Sequence, residues 1–76
     1  KEMEETIYKR MGAKIRYYRQ LKDLNQTQFA EIICISPQYL SKIEYGKRVP
    51  SVQILISIAK ALDVDISDLL NGNDFI

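Results

Sequence analysis

Apolar residues recur every three or four positions along most of this chain, which is the period of an amphipathic α-helix. From about residue 5 to residue 22 these positions are Ile7, Met11, Ile15 and Tyr18. The inward positions over 52–62 are Val52, Leu55, Ile58, Ala59 and Leu62. No stretch alternates between apolar and polar residues as a half-buried strand does. The pattern therefore predicts an all-α fold.

Residues that begin and end helices divide this pattern into five elements. Asn25 and Gln28 have the spacing of a capping box, which predicts a second helix over 26–33. The Ser36-Pro37 pair begins a third helix over 37–44, and Gly46 ends it in a left-handed conformation. Ser51 and Asp65 begin the fourth and fifth helices, and Gly72 ends the last one.

The length and composition predict one small domain. The chain has 76 residues, of which 46% are hydrophobic and 28% are charged. We expect one domain over 1–76, with residues 1–10 as an N-terminal extension and residues 71–76 as a C-terminal tail. A chain of this size buries only about 60% of its unfolded surface and would gain stability from dimerising. No apolar run approaches the roughly 20 residues of a membrane span, which predicts a cytoplasmic protein without a membrane contact.

The residue types present exclude several kinds of catalytic site. The chain has no histidine and one cysteine, Cys34, so it forms no internal disulfide, no tetrahedral zinc site and no Ser/His or Cys/His pair. Asp63, Asp65 and Asp68 are close in sequence, but helix capping and solvation account for them. We expect no enzyme activity, no metal, no cofactor and no small-molecule site.

Charge is distributed unevenly although the formal net charge is only +1. Residues 9–48 carry nine basic and three acidic side chains, a local net charge of +6. Residues 1–8 sum to −2 and residues 49–76 to −3. The basic segment is suited to a polyanion, while an ordinary solvated surface explains the same pattern.

Two short helices joined by a tight turn, the second with exposed polar side chains, fit the major groove of DNA. The residues of this segment also resemble a known family, the Cro/Xre-type helix-turn-helix domains of phage lambda-like repressors. The resemblance covers about residues 11–70. It is carried by Leu-Asn-Gln-Thr-Gln-Phe-Ala-Glu over 24–31, by Ile-Ser-Pro-Gln-Tyr-Leu-Ser-Lys-Ile-Glu-Tyr-Gly-Lys-Arg-Val-Pro-Ser over 35–51, and by Leu55, Ile58-Ala59-Lys60-Ala61-Leu62 and Val64.

This resemblance implies a five-helix, lambda-repressor-like domain with the helix-turn-helix at helices 2 and 3. It also implies a homodimer that binds a roughly palindromic double-stranded DNA operator with helix 3, most often as a transcriptional repressor. The implied base-reading residues are Ser36, Gln38, Tyr39 and Lys42. The implied phosphate-contacting residues are Arg19, Gln26, Tyr45, Lys47 and Arg48. Arg19 is also expected to pair with Glu44, joining helix 1 to helix 3.

Two departures from the family pattern bear on function. Cys34 stands where the family most often has glycine, in a turn that favours a left-handed backbone; a small tolerated residue and a redox-sensing thiol are the alternatives. Ile54 stands where relatives are commonly polar. It belongs to an apolar set with Ile56, Leu70, Phe75 and Ile76. We expect Ile54, Leu70, Phe75 and Ile76 at the dimer interface, although the same residues would also complete a core.

A second class of function is consistent with the low net charge. An antitoxin-like or other regulatory module would keep this fold and use the same helix face to bind a protein. RNA binding is a further alternative, but the sequence lacks the exposed stacking platform common in RNA-binding domains.

Overall fold

Five α-helices follow one another along the chain. They cover Glu2–Leu21 (α1), Gln26–Ile32 (α2), Pro37–Glu44 (α3), Val52–Leu62 (α4) and Ile66–Leu70 (α5). This computed structural model describes the backbone of residues 2–70 and the side chains of residues 6–70. Helices are the only regular elements within that range, which confirms the predicted all-α, five-helix fold.

The helix boundaries agree closely with the sequence pattern. Helices α3 and α4 have the predicted bounds, and α2 ends one residue before the predicted end at 33. Helix α1 begins at Glu2 rather than near residue 5, because this segment contains good helix formers and neither Gly nor Pro. The N-terminal extension is thus helical from residue 2 onward.

Three of the predicted N-caps, Asn25, Ser36 and Ser51, are present as side-chain hydrogen bonds. The Asn25 carboxamide oxygen accepts from the Gln28 amide at 2.7 Å, and the Gln28 side chain accepts from the Asn25 amide at 2.9 Å. Ser36 and Ser51 cap α3 and α4 through their hydroxyl oxygens. Before α5 the Asp65 amide donates to the Asp68 carboxylate at 3.1 Å. The predicted end of α5 at Gly72 lies outside the described residues.

Helices α1 to α4 all end in the same backbone arrangement. A left-handed residue follows each helix, two positions past the end of α1, α2 and α3 and one past α4: Asp23, Cys34, Gly46 and Asp63, with φ of 57°, 61°, 75° and 59°. The following amide then reaches back five residues, as the Leu24 amide does to the Arg19 carbonyl at 3.3 Å, which is the Schellman pattern. The left-handed conformations expected at Cys34 and Gly46 are confirmed.

Helix α3 lies between α1 and α2. Helix α1 packs against α3, α4 and α5, while α2 packs against α3, and α4 packs against α5. The buried apolar residues are Met11, Ile15, Phe29, Ala30, Leu40, Ile43, Ile58, Ala59, Leu62 and Leu69. Since α3 contributes Leu40 and Ile43 at 0% exposure, its apolar face is held by the core and its polar edge has a fixed direction.

A glycine in α1 sets the distance between α1 and the end of α3. A Cβ atom on Gly12 would lie 2.4 Å from the carbonyl oxygens of both Ile43 and Glu44. No side chain fits at that distance, so the two backbones meet directly at residue 12. The sequence pattern did not indicate this contact.

Two residues expected on buried faces are exposed. Ile7 is 48% exposed because it lies two residues before Lys9, where α1 meets the backbone of Gly46, and so at the end of the contact between α1 and the segment after α3. Val52 is 72% exposed because it is the first residue of α4 and lies at the edge of the core. Both residues lie on the predicted apolar face of their helix. They are exposed because no neighbouring part of the chain covers that face at their position.

Candidate nucleic-acid interface

The turn between α2 and α3 is four residues long, over 33–36. Phe29 and Ala30 of α2 are fully buried, and the small Ala30 side chain allows the helices to cross closely. The Ile35 amide donates to the Ala30 carbonyl at 3.0 Å, which ties the turn to α2. The Ser36 hydroxyl oxygen then accepts from the Tyr39 amide at 3.0 Å and starts α3. Local sequence therefore sets the angle at which α3 leaves the turn.

The exposed edge of α3 carries the side chains expected to read bases. Gln38 and Lys42 are exposed and four residues apart, so they lie one above the other on one helix face. Ser36 is exposed as well, but its hydroxyl oxygen also caps the helix. Tyr39 is half-buried and lies beneath the Arg48 guanidinium, whose carbon is 5.4 Å from the ring centroid. The structure brings these four expected residues together along the start and outer edge of α3.

Behind this edge, Arg19 and Glu44 form a buried ion pair. The Arg19 Nε donates to Glu44 Oε2 at 2.7 Å, and Nη2 donates to Oε1 at 3.1 Å. The side chains are 7% and 0% exposed. The Arg19 Nη1 donates to the Leu24 carbonyl at 2.7 Å, which also fastens the loop after α1. The pairing expected from the family resemblance is present.

The phosphate contact that was also expected of Arg19 remains a prediction, and the structure leaves little of this side chain accessible for it. All three guanidinium nitrogens donate to groups inside the domain, and almost none of the side chain reaches the surface. Nη1 and Nη2 each keep one further N–H group, but a side chain that is only 7% exposed offers little of it to a phosphate. The ion pair of Arg19 with Glu44 therefore holds α1 against α3.

Gln26 is joined to the same ion pair. Its Nε2 donates to Glu44 Oε1 at 2.9 Å, and the residue is half-buried. The amide nitrogen carries two hydrogens, so one remains for a further acceptor. Glu44 consequently orients the first residue of α2 as well as the end of α1.

The segment after α3 carries exposed cations and a tyrosine. Tyr45, Lys47 and Arg48 are all exposed, with Tyr45 at 54%. The guanidinium carbon of Arg16, from α1, lies 5.2 Å from the Tyr45 ring centroid. Both stacked arginines are cation–π contacts that hold charge close to an aromatic ring. Arg16 belongs to the basic segment of the sequence, but its spacing gave no sign of this contact.

The residues expected at a dimer interface divide into two groups. Leu70 is 53% exposed, while Ile54 is half-buried and packs against the core. Phe75 and Ile76 lie outside the described residues.

Three further observations concern metal ligands, membrane-spanning helices and the cysteine. Within the part of the chain that the structure describes, no three His, Cys, Asp or Glu residues come together as metal ligands would. No helix among those described has the length and apolar character needed to cross a membrane. Cys34 is exposed.

Comparison with known proteins identifies related chains. A helix-turn-helix family model matches residues 15–69. The 10 kDa protein of the ImmF control region of Bacillus phage phi105 is 39% identical over 61 residues, covering 80% of this chain and 68% of the phage protein. An uncharacterized HTH-type transcriptional regulator of Methanocaldococcus jannaschii is 39% identical over 64 residues, covering 84% and 97% of the two chains. The crystal structure of the clp gene regulator ClgR from Corynebacterium glutamicum superposes with a TM-score of 0.79 at 33% identity, covering 84% of this chain and 68% of ClgR.

The tight α2–α3 turn and the polar edge of α3 define a class of protein, the helix-turn-helix DNA-binding domains. The family match extends from the middle of α1 to α5 and so includes every element that positions that edge. This chain belongs to the helix-turn-helix family of DNA-binding transcription regulators.

Proposed function

We propose that this protein binds a specific double-stranded DNA sequence by inserting α3 into the major groove, and that it represses transcription from that site. One observation carries the proposal: Gln38 and Lys42 are exposed on one edge of α3, whereas Leu40 and Ile43 on its other face are completely buried. A helix held in this way presents a fixed polar edge to the bases.

The chemistry of these side chains suits base recognition. A glutamine carboxamide both donates and accepts, which matches the edge of adenine, and a lysine donates to O6 and N7 of guanine. Tyr39 is suited to a thymine methyl group or a phosphate, and Ser36 to either kind of base contact. Pro37 is the first residue of α3 and lies among these side chains, but it has no hydrogen-bonding group with which to read a base.

Phosphate contacts are proposed for the residues that flank this edge. Tyr45, Lys47 and Arg48 are exposed just after α3, where side chains fix the register of a protein on the duplex. Gln26 donates one amide hydrogen to Glu44 and is proposed to donate the other to a phosphate. The ion pair of Arg19 with Glu44 then supports a phosphate contact indirectly, by orienting Gln26.

We further propose that two copies bind an inverted repeat as a homodimer. The exposed Leu70 at the end of α5, together with Ile54, Phe75 and Ile76, is proposed as the contact between copies. Sedimentation equilibrium at micromolar concentration tests this with Leu70→Ser. The matched control is Leu21→Ser, since Leu21 is 62% exposed on α1. A dimer that Leu70→Ser leaves intact places the contact elsewhere.

Selection of bound sequences from a random DNA pool tests the proposed function. We expect an enriched inverted repeat with half-sites about 34–36 Å apart, which is one helical turn. Gln38→Ala and Lys42→Ala should each weaken binding to the selected duplex by about 1–3 kcal/mol. The controls Gln20→Ala and Lys60→Ala change exposed residues outside the proposed interface and should bind as the wild type does.

Two outcomes contradict the proposal. One is a folded wild-type chain that binds every duplex equally weakly at low salt. The other is a pair of α3 variants that bind the selected duplex unchanged. Either result favours the alternative in which this helix face binds another protein.

A further inference from the structure

We infer that the N-terminal part of α1 takes part in DNA binding through Lys9, which contacts a backbone phosphate in a groove between α1 and the segment that follows α3. This inference rests on the proposed function and adds Lys9 to the proposed interface. The evidence for it is a groove between α1 and the segment after α3. Lys9 lines this groove and has no part in the base-reading edge or in a helix cap.

The groove is an open depression of about 480 Å³ beside the C-terminal end of α3. We call it the Lys9 groove; it is lined by Tyr8, Lys9, Tyr45, Gly46, Lys47 and Val49. A second depression of about 240 Å³ adjoins it and shares Lys9 and Tyr45, adding Arg16 and Glu44. Three cations from two separate parts of the chain therefore border one continuous surface.

Gly46 holds the two walls of the Lys9 groove together. A Cβ atom at residue 46 would lie 2.9 Å from both the backbone nitrogen and the Cα of Lys9. Only glycine allows that approach, and its φ of 75° is also the conformation that ends α3. The backbone of Lys9 is thus placed directly on the chain that leads from α3 to Lys47.

The charge of the Lys9 groove favours an anionic group. Lys9 and Lys47 are exposed, and Arg16 is held over the Tyr45 ring. Glu44 is the acidic residue among those that line the two depressions. Its carboxylate oxygens already accept from Arg19 and Gln26, so its charge is compensated inside the domain.

Continuity with α3 indicates DNA rather than a separate ligand. Arg48 stacks on Tyr39 of α3, and the adjacent Lys47 borders the Lys9 groove. Arg48 and Lys47 are consecutive residues, so they link the proposed base-reading edge to the Lys9 groove. A duplex lying along α3 would bring a backbone phosphate to this end of the surface, where lysine acts as a point charge.

The salt dependence of DNA affinity tests the inference. The probe is the duplex obtained from the random pool, and the variant is Lys9→Gln. Losing one phosphate contact should make the slope of log affinity against log salt shallower by about 0.9 per half-site, and should weaken binding by about eightfold per half-site at 0.1 M salt. Lys9→Arg should restore the wild-type slope, and Lys60→Gln on α4 is the matched control.

A second arm locates the phosphate. In a series of duplexes, single phosphates are replaced by uncharged methylphosphonates, and each is titrated with the wild type and with Lys9→Gln. We expect at least one position per half-site at which the methylphosphonate weakens binding of the wild type. At that position Lys9→Gln, which already lacks the contact, should show no further loss of affinity. Circular dichroism establishes that the variant folds.

The possible results separate this inference from the proposed function. A wild type that selects no DNA sequence overturns both. A wild type that selects an inverted repeat, with Lys9→Gln showing the same salt slope and the same methylphosphonate losses, overturns the inference alone. It is also overturned if Lys9→Gln changes only the thermal stabilisation by inorganic phosphate, since the groove would then bind free phosphate rather than DNA.

Discussion

The Arg19 guanidinium is held by the Glu44 carboxylate through two hydrogen bonds, of 2.7 and 3.1 Å, at the junction of α1 with the end of α3. Both side chains are almost completely buried. Because Gln26 donates to the same carboxylate, this one acidic residue orients three helices around the polar edge of α3. Glu44 therefore stabilises the domain and also positions its DNA-binding residues.

Glu44→Gln should destabilise the domain strongly. It leaves the Arg19 charge buried without its counterion, and breaking a buried pair on one side costs about 3–5 kcal/mol. Urea denaturation measures the free energy of unfolding of each variant. The double variant Arg19→Met/Glu44→Met removes both charges and should be more stable than Glu44→Gln. A loss below about 1 kcal/mol for the single variant would show that the pair is readily solvated.

Gly12→Ala should be destabilising, although helix propensity predicts a gain of about 1 kcal/mol for this change. The added Cβ would lie 2.4 Å from two backbone carbonyl oxygens of α3, so the helices must separate. Overpacking of this kind costs about 1–3 kcal/mol. The control Gln20→Ala changes an exposed residue of the same helix and should be close to neutral. Thermal or urea unfolding decides the sign, and a stabilised Gly12→Ala would contradict the close approach.

Cys34→Gly should stabilise the domain by about 0.5–1 kcal/mol. Residue 34 has a φ of 61°, which costs an L-residue about 1–2 kcal/mol, and the greater flexibility of unfolded glycine offsets part of the gain. Cys34→Ala is the control, because it removes the thiol but keeps the Cβ. Unfolding measurements should show a gain for glycine and none for alanine. A gain from both variants would assign the effect to the thiol.

Lys47→Gln and Arg48→Gln should weaken DNA binding without changing sequence preference. Each removes one proposed phosphate contact, so the salt slope should fall by about 0.9 per half-site for the selected duplex and for an unrelated one. Fluorescence anisotropy at several salt concentrations measures this. Lys42→Ala, in contrast, should lower the affinity for the selected duplex more than for the unrelated one. A change of preference in the Lys47 variant would mean that Lys47 reads bases.

The starts of α2, α3 and α4 and the polar edge of α3 were predictable from local sequence. Asn25, Ser36 and Ser51 each cap a helix through their own side chains, and these bonds involve residues only three apart. The alternation of Leu40 and Ile43 with Gln38 and Lys42 follows the helical period alone, so the polar edge of α3 was evident before any fold was known.

Contacts between distant parts of the chain were decided only by the tertiary structure. The approach of Gly12 to α3, and that of Lys9 to Gly46, depend on where two helices cross, and no local pattern contains that information. The same crossing left Ile7 exposed and occupied all three nitrogens of Arg19 inside the domain. Sequence alone determines which residues can take a role, because side-chain chemistry and helical period are local. Packing determines which of them are left at the surface to perform it.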